Sequence, residues 1–568
     1  MSAPAARTEQ PAQSTEPTRL VLEVSGLTVE SLQERTLRTV FRDAELALPA
    51  GEVVLLVGPS GSGKTLFTKL LVGLLGPGSP ALSIAPTSHM RVHLRSGEQC
   101  EVLGTSRYPA RLRGAIGYLF QEHALFDELS VEDNIRFGGT LAAEPLPPAV
   151  FAEQLHAQAR RLKLERQLRS PIEVLSGGQR QRTALLRMLA LRPEILIYDE
   201  PTSGLDPDAA GRVAALIRQT QHDTPPALRP GLSLVVTHDY TNLLGVADRV
   251  VLIHPARGFT VYPIRNEQER ERLGAELKRA LQQWEPPRPR PLSRAQVRAL
   301  RQRAEWYRFR SAPGRLWDLL RSTPRLYARS LRWHRRFAGS LARLLVIDAV
   351  PFTALAGVAI GLVVSYFSLN SVPEQLQAQA EPIFIEEIIQ GLGLALYQIL
   401  APLLAAICLT ARSGAAIAGH LSHMERSSQL DALRVLGMPP WALLGDKVAL
   451  SFMIGMPLHA AICFAAASFA SLVVVLMTRP LVTWYTFTAS YVGGLGEHWL
   501  DLPYHGTGWL LAKLVPAGLL CALLAWREGT RPKASARDVN RAITRAIMQG
   551  ILAVITVFFL VLLLEVRR

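Results

Sequence analysis

A glycine-rich run directly after the apolar segment 53–57 is the feature that most constrains the fold. It consists of Gly58, Pro59, Ser60, Gly61, Ser62, Gly63, Lys64 and Thr65, and it fits the pattern GxxxxGK[ST] that joins a strand to a helix. Its glycines let successive backbone N–H groups turn toward a phosphate, and the helix N-terminus adds a favourable dipole. The pattern assigns Lys64 to the β- and γ-phosphates and the Thr65 hydroxyl to Mg²⁺. The run therefore predicts an α/β P-loop domain that binds a nucleotide.

Five further motifs follow the run in the chain. Gln121 comes after the apolar segment 116–120, and Ser176, Gly177, Gly178 and Gln179 come after Leu175. The apolar segment 195–198 ends in Asp199 and Glu200, the sequence Ser-Gly-Leu-Asp ends at Asp206, and His238 follows the apolar segment 234–236 and a threonine. Each motif alone is weak evidence of function, but their fixed order makes a chance match negligible.

Taken together, the six motifs resemble those of ATP-binding cassette (ABC) ATPases. The resemblance implies ATP and Mg²⁺ as cofactors, with Thr65, Gln121 and Asp199 serving the metal. It implies that Glu200 orients and deprotonates the attacking water, that His238 contacts the γ-phosphate, and that Gln121 belongs to the catalytic set. The phosphate loop of one copy would face Ser176–Gln179 and Asp206 of another, with ATP between them, so a homodimer is expected.

One departure from the family concerns the base of the nucleotide. Family members usually carry an aromatic residue upstream of the phosphate loop, and it stacks on adenine. The segment Leu27-Thr28-Val29-Glu30-Ser31 contains no aromatic residue. The sequence therefore leaves open which side chain holds the base.

The second half of the chain has a different composition from the first. Four runs without Asp, Glu, Lys or Arg are present, at Ala349–Leu369, Ile388–Ala411, Val448–Thr478 and Ala546–Leu564. Each is long enough to cross a hydrocarbon core of ~30 Å, which takes ~20 helical residues. A weaker fifth candidate, Gly508–Trp526, is interrupted by Lys513. The runs predict an all-α membrane domain of about five transmembrane helices.

The net charge of +15 does not indicate nucleic-acid binding, because the basic residues are concentrated next to the first apolar run. Residues 301–343 contain twelve arginines and two acidic residues. Within this region Trp333, Phe337, Leu341 and Leu344 share one helical face, with arginines beside it. This pattern predicts a basic amphipathic helix at 325–345 on an anionic membrane surface. A solvated basic linker is the alternative.

These observations divide the chain into five segments. Residues 1–18 are small, polar and proline-bearing, without the apolar core of a signal peptide, and predict a disordered tail. The ATPase is assigned to 19–265, a charged and Pro/Arg-rich linker to 266–324, the interfacial helix to 325–345 and the membrane domain to 346–568. Basic residues are concentrated in 412–447 and 527–545, whereas 370–387 contains none. The positive-inside rule therefore puts residues 412–447 and 527–545 on the cytoplasmic side with the ATPase.

The membrane half is similar to permeases of the MlaE type, which work with MCE-domain lipid-binding proteins in bacterial lipid transport. The resemblance rests on Ala-Pro-Leu-Leu at 401–404, Ala-Arg-Ser-Gly-Ala-Ala-Ile-Ala-Gly at 411–419 and Leu-Asp-Ala-Leu-Arg-Val-Leu-Gly-Met at 430–438. The chain departs from the family at Gln398-Ile399, where an Arg-Glu pair is usual, and at His420–Met424. The charged segment 412–438 is predicted to dock on the ATPase near Gln121, with an ordinary loop as the alternative.

The sequence as a whole predicts an ATP hydrolase that moves a lipid, with a phospholipid as the expected species, across or out of the bacterial inner membrane. The expected partners are a second copy of the chain, the membrane lipid as substrate and an MCE-domain protein, with no nucleic acid. The alternative is an exporter of a small hydrophobic compound or peptide. Such exporters usually place their spans before the ATPase, whereas here the spans follow it. The spans exclude a soluble ABC ATPase of DNA repair or translation.

Overall fold

The computed structural model describes residues 19–568 apart from 34–35, 104–107, 225–228, 239, 255–257, 283–288, 371–373, 497–502, 534 and 567–568. Most side chains of 301–329 and those of 374–384 are also outside the description. The predicted tail 1–18 lies outside the described residues. The chain forms two compact units, one of residues 1–325 with Asp431–Gly437 and the other of Leu326–Leu430 with Met438–Arg568.

The first unit alternates strands and helices along the chain. Its elements are β1 (Leu20–Gln33), β2 (Thr36–Pro49), β3 (Glu52–Val57), α1 (Lys64–Leu71), β4 (Leu82–Ile84), β5 (His89–His93), β6 (Gln99–Glu101), β7 (Ile116–Leu119), α2 (Val131–Thr140), α3 (Pro148–Arg161), α4 (Gly177–Ala190), β8 (Ile195–Asp199), α5 (Pro207–His222), β9 (Leu232–Thr237), β10 (Arg249–His254), β11 (Gly258–Pro263), α6 (Glu267–Gln282), β12 (Arg290–Pro291) and the first part of α7 (Arg294–Leu345), whose residues from Leu326 onward belong to the second unit. Short 3₁₀ turns lie at Ala110–Leu112, Glu165–Gln167, Ile172–Val174 and Leu244–Val246.

Two sheets organise this unit. In the first, β3 lies between β10 and β9, β8 pairs with β9, and β7 pairs with β8, all in parallel, while β11 closes the other edge antiparallel to β10. Strands β8 and β9 are apolar and buried along their length, as a sheet covered on both faces requires. The second sheet is antiparallel in the order β12-β2-β1-β5-β6, with β4 beside β1. Because β3, β8 and β9 run in parallel, the residues after their carboxyl ends meet at one edge.

The fold of the first unit continues past residue 265, where the sequence placed the end of the ATPase. Helix α6 buries Leu273 and Leu277 in the same apolar cluster as β3 and β8. Strand β12, inside the segment predicted to be a linker, pairs with the end of β2 at Leu37 and Thr36. The sequence assigns α6 to a charged linker, whereas two leucines one turn apart pack one side of this helix on the core.

The second unit is helical. Its helices are α8 (Val350–Asn370), α9 (Glu374–Ala395), α10 (Ala401–Leu409), α11 (Ala415–Arg426), α13 (Asp446–Thr478), α14 (Trp484–Gly493), α15 (Thr507–Gly529) and α16 (Ala536–Val566), with α12 (Gln429–Val435) crossing the boundary between the units. A 3₁₀ turn at Ile347–Ala349 precedes α8, and π-helical segments lie at Leu396–Leu400, Thr410–Gly414 and Trp441–Gly445.

Five helical segments of the described residues are long and apolar enough to cross a membrane. They are Ser330–Asn370, Ile385–Arg426, Trp441–Thr478, Thr507–Gly529 and Ala536–Val566. The weak fifth run is therefore a full helix, α15. Lys513 inside it is 2% exposed and forms an ion pair of 2.6 Å with Glu565 of α16. The ten residues of α14 are too few to span the bilayer.

Close backbone contact holds the helices of the second unit together. A Cβ on Gly361 of α8 would stand 2.8 Å from the Cα of Ala467 on α13 and would collide with that residue's carbonyl oxygen. Gly357, one turn earlier, meets the backbone of Cys463 in the same way. Small residues four apart thus let α8 and α13 approach closely, as is typical of membrane helices.

The segment 325–345 differs from the expectation in two ways. It is the end of α7, which begins at Arg294 and has one residue of non-helical backbone, Ser330. Its apolar face is also buried in the protein, through Trp333, Phe337, Leu341 and Leu345, with Leu345 taking the place predicted for Leu344. The periodicity correctly indicated an amphipathic helix, but an apolar stripe pairs equally well with protein or with lipid.

Candidate functional site

The phosphate loop depends on two glycines with positive φ. Gly61 has φ +75° and Gly63 has φ +105°, in the region that other residues rarely adopt. A Cβ on Gly63 would stand 3.0 Å from Cζ of Phe41 and would collide with Cγ1 of Val40. The loop therefore lies directly against β2, and α1 begins at Lys64 immediately after it.

Lys64 and Ser62 carry the polar groups inside this loop. The Lys64 ammonium donates to the carbonyl oxygens of Gly58 at 2.6 Å and Pro59 at 3.1 Å, and the residue is 8% exposed. Burial lowers the pKa of Lys64, whereas the charges of Glu200 and Asp199 act to raise it. The buried Ser62 hydroxyl has no hydrogen-bond partner among the described residues. A buried, unpartnered donor beside an ammonium fits the binding of a phosphate.

Asp199 ends β8 and keeps one oxygen unpaired. The Tyr118 hydroxyl donates to its Oδ2 at 2.7 Å, and Tyr118 is itself held 3.1 Å from the Thr68 hydroxyl. Oδ1 is buried without a hydrogen-bond partner among the described residues. Burial raises the pKa of Asp199, partly offset by the hydrogen bond from Tyr118. A buried carboxylate with a free oxygen fits a divalent cation such as Mg²⁺, which would restore the charged form.

Glu200 and His238 stand together after two adjacent strands. Oε1 of Glu200 lies 2.8 Å from Nδ1 of His238, and Glu200 is largely buried while His238 is exposed. Glu200 has φ +56°, which is uncommon for a residue with a side chain. Gln181 of α4 donates to the carbonyl oxygens of Glu200 and Pro201. The strained backbone is thus held from a second element, as is common at functional sites.

Gln121 is exposed and lies two residues after β7, in a turn that continues through a strained segment. His123 has φ +64° and Ala124 has φ +51°. Arg187 of α4 donates to the Ala124 carbonyl at 2.6 Å and to the His123 carbonyl at 3.1 Å, and its guanidinium lies 5.3 Å from the centre of the Phe126 ring. Burial lowers the pKa of Arg187 to about 10. Helix α4, which starts at the motif Ser176–Gln179, therefore fixes the segment that follows Gln121.

The motif Ser176–Gln179 forms the start of α4. The Ser176 hydroxyl accepts from the Gln179 backbone N–H at 3.3 Å, and the Gln179 side chain accepts from the Ser176 N–H at 2.8 Å, which is a capping box. Ser176 and Gly177 are exposed. The Asp206 side chain caps α5 by accepting from the Ala209 N–H at 2.8 Å, and that hydrogen bond lowers the pKa of Asp206.

The structure therefore brings together part of the predicted site. The carboxyl ends of β3, β8 and β9 gather the phosphate loop, Asp199, Glu200 and His238. No hydrogen bond joins Ser176–Gln179 or Asp206 to the phosphate loop among the described residues. The sequence missed Tyr118, Gln181 and Arg187. Gln181 and Arg187 are polar residues on the buried side of α4, and only this placement, which the structure shows, distinguishes them from the other glutamine and arginine residues of the helix.

Comparisons with known proteins identify two families along the chain. The family described as ABC transporter matches residues 41–203, and the family described as Permease MlaE matches residues 340–564. A probable ABC transporter ATP-binding protein of Azorhizobium caulinodans is 36% identical over 218 residues, which cover 38% of this chain and 69% of that protein. The chain belongs to the ABC transporter family. Its second half is a permease domain of the MlaE type.

Other relatives match the ATPase half of this ABC transporter. The sulfate/thiosulfate import ATP-binding protein CysA of Yersinia pestis is 36% identical over 217 residues, which cover 38% of this chain and 53% of that protein. The chain thus spans about half the length of several curated relatives that it matches. Among solved structures, the dimeric post-hydrolysis state of the ATP-binding cassette MJ0796, bound to ADP and Pi, aligns at 21% identity. The alignment covers 43% of this chain and 99% of that one, with a TM-score of 0.37.

Proposed function

We propose that this chain hydrolyses ATP to move a phospholipid or a similar amphiphile across or out of the bacterial inner membrane, as a homodimer. The observation that carries the proposal is the fusion of an ABC ATPase with an MlaE-type permease in one chain. The ATPase half supplies the energy, and the permease family supplies the class of cargo. In this proposal, transport requires both the ATPase half and the permease half.

The ATPase residues divide the hydrolytic work. The phosphate loop, with Lys64 at its centre, would bind the triphosphate, and Thr65, Gln121 and Asp199 would hold Mg²⁺, which would supply positive charge to the phosphates. Glu200 orients the attacking water and accepts its proton, while His238 holds the Glu200 carboxylate and faces the γ-phosphate. The unpaired oxygens of Ser62 and Asp199 support these assignments, because both lack a partner that a bound nucleotide and metal would supply.

Two copies of the chain would complete each site. Ser176–Gln179 and Asp206 are proposed to bind the ATP held on the phosphate loop of the other copy. The exposure of Ser176, Gly177 and Asp206 supports this, as does the start of α4 at Gly177, since the N-terminus of a helix favours an anion. The single phosphate loop in each chain is consistent with one such site per copy.

A lipid is the proposed cargo because the ionisable side chains His459 and Lys513 inside the spans are already paired with other groups of the protein. His459 of α13 lies 2.8 Å from the Thr353 hydroxyl and 3.1 Å from the Val346 carbonyl. Lys513 is paired with Glu565. A polar solute would need partners in the spans, and these groups are occupied by one another. Large apolar side chains such as Phe352, Phe367 and Phe469 remain exposed on the same helices.

The segment Asp431–Gly437 is proposed to couple the two activities. It lies between two membrane helices in the sequence, yet it belongs to the first compact unit. There the Val435 carbonyl accepts from the Gly114 N–H at 3.3 Å. Because Gly114 precedes β7 and Gln121 follows it, a change at the nucleotide could reach this segment through one short strand.

The same proposal includes the environment. The ATPase half lies on the cytoplasmic side of the inner membrane, as the basic segments 412–447 and 527–545 indicate. An MCE-domain protein is proposed as the partner that carries lipid onward. Support for that partner is the MlaE match alone.

The decisive experiment measures ATP-dependent transfer of a labelled phospholipid. Purified protein is reconstituted in vesicles, a candidate MCE-domain partner is added, and transfer to acceptor vesicles is followed with wild type and with Glu200→Gln. Losing the general base should lower phosphate release and transfer together, by ~10²–10⁴-fold. Glu165→Gln, which changes an exposed carboxylate on the same unit, is the matched control and should leave both rates unchanged.

Two results would contradict the proposal. Phosphate release by Glu200→Gln within threefold of wild type would remove Glu200 from the role of base. ATP hydrolysis that responds to a hydrophilic solute, with no lipid transferred and none bound to the purified protein, would rule out the lipid as cargo.

A further inference from the structure

Arg38 occupies the place opposite the missing aromatic residue. Strands β1 and β2 are antiparallel, and their register pairs Ser31 directly with Arg38. Directly opposite residues of such a pair project to the same face of the sheet. Ser31 ends the segment Leu27–Ser31, where the family usually carries its adenine platform. A side chain from Arg38 therefore reaches the region that the aromatic residue would have served.

The Arg38 guanidinium also lies at the phosphate loop. Its Nη1 is 3.5 Å and its Nη2 is 3.8 Å from the point where a Cβ would stand on Gly61. Two residues further along β2, Val40 meets Gly63. Strand β2 thus follows the loop from Gly61 to Gly63, and Arg38 stands at the outer end of this contact.

No partner in the described part of the chain accounts for the charge of Arg38. Its Nη2 atom is buried without a hydrogen-bond partner, although the side chain as a whole is partly exposed. A buried guanidinium nitrogen is normally paired with a carboxylate, a carbonyl or a phosphate. A group that is planar, cationic and unpaired beside a nucleotide loop is therefore available to a ligand.

We infer that Arg38 replaces the aromatic platform and stacks its guanidinium on the nucleotide base. A guanidinium is flat, delocalised and weakly hydrated, so it stacks on aromatic rings where an ammonium cannot. Nucleobases are recognised in this way by arginine planes as well as by aromatic side chains. The inference rests on the proposed function, in that it assumes that Lys64 and its loop bind the phosphates of the same nucleotide.

The competing role for Arg38 is a contact with phosphate, and two probes separate the roles. ADP carries both a base and a diphosphate, whereas inorganic pyrophosphate carries the diphosphate alone. Neither is hydrolysed by this site, so equilibrium binding can be measured on the full-length protein in detergent with Mg²⁺ present. The variants are Arg38→Ala, Arg38→Lys and Arg38→Tyr, with Arg42→Ala, an exposed arginine on the same strand, as the matched control.

Stacking predicts a specific pattern. Arg38→Ala should weaken ADP about tenfold, in line with the loss of one base-stacking contact, and leave pyrophosphate within twofold of wild type. Arg38→Lys should stay weak, because the charge is kept and the plane is lost. Arg38→Tyr should recover ADP affinity to within threefold, and Arg42→Ala should change nothing.

Several results would overturn the inference. These are unchanged ADP affinity in Arg38→Ala, an equal loss of pyrophosphate affinity, and full recovery in Arg38→Lys. Thermal melting of each variant identifies a folding defect, and if Arg38→Ala does not fold, the comparison of Arg38→Lys with Arg38→Tyr decides the question. Lys64→Ala must weaken both probes. If it does not, the nucleotide site of the proposed function is wrong, which is distinct from a failure of Arg38 alone.

Discussion

Replacing Arg187 by methionine tests how the segment after Gln121 is held. The guanidinium is 4% exposed and donates to two backbone carbonyls, at 2.6 Å to Ala124 and at 3.1 Å to His123. Methionine fills much of the same volume but donates nothing. The two carbonyls would lose their donor in a buried region, while His123 and Ala124 would keep their unfavourable φ angles.

The size of the effect follows from these contacts. A buried carbonyl that loses its partner costs about 1–3 kcal/mol, and Ala124, which is fully buried, should fall in the middle of that range. The contact with the Phe126 ring adds about 0.5–2 kcal/mol. Relief of the buried charge offsets part of this sum. We expect Arg187→Met to lower the free energy of unfolding by about 2 kcal/mol.

We expect Arg187→Met to lower the rate of ATP turnover as well as the free energy of unfolding. If Gln121 serves the metal and the water, a displacement of its loop by about 1 Å can cost up to 10²-fold in rate. We expect phosphate release to fall at least about tenfold, while ADP affinity, which depends on the phosphate loop, stays within about threefold. Arg218→Met is the matched control, since Arg218 is exposed and donates to the Gly245 carbonyl at 3.4 Å.

A second substitution separates strain from lost contact. Ala124→Gly removes the penalty of φ +51°, so it should return about 0.5–1 kcal/mol and part of the turnover in the Arg187→Met background. Thermal melting and phosphate release measure both effects. Turnover within twofold of wild type in Arg187→Met, or an equal loss of turnover in the control Arg218→Met, would refute the reasoning.

Three further predictions follow from other parts of the chain. Heterodimers of co-expressed Lys64→Ala and Ser176→Arg should have more ATPase activity than either variant alone. If verified heterodimers show no recovery of ATPase activity, the shared site is refuted. Burial and nearby arginines lower the pKa of His123 to about 4, so the unfolded chain takes up a proton first as pH falls below 6.5. Wild type should thus lose about 2 kcal/mol between pH 6.5 and 4, and an equal loss in His123→Gln would exclude this histidine. Gly361→Leu should lower the melting temperature by separating α8 from α13, whereas Gly391→Leu should not, because the space around Gly391 is open. Equal melting temperatures of the two variants would contradict that packing.

Much of the fold was predictable because its signals are local. The loop Gly58–Thr65 forms from its own glycines and the strand before it, and the spans follow from the length of their uncharged runs. The five membrane helices and the ABC and MlaE assignments were confirmed. The roles of Glu200, His238 and the other site residues stay predictions. The burial of the apolar face of 333–345 could not be foreseen, since periodicity identifies an apolar stripe but not what covers it.

The sequence alone determined the class of this protein, since short motifs and charge-free runs need only neighbours in the chain. Tertiary structure alone decided which distant groups meet. Arg187 donates to a carbonyl more than sixty residues away in the sequence, Lys513 forms an ion pair with Glu565, and Arg38 lies beside Gly61. These meetings depend on strand register and helix packing, and many different sequence separations can satisfy the same contact. The physical reason is that a buried polar group needs a partner nearby in space, and the sequence does not indicate at which position in the chain that partner lies.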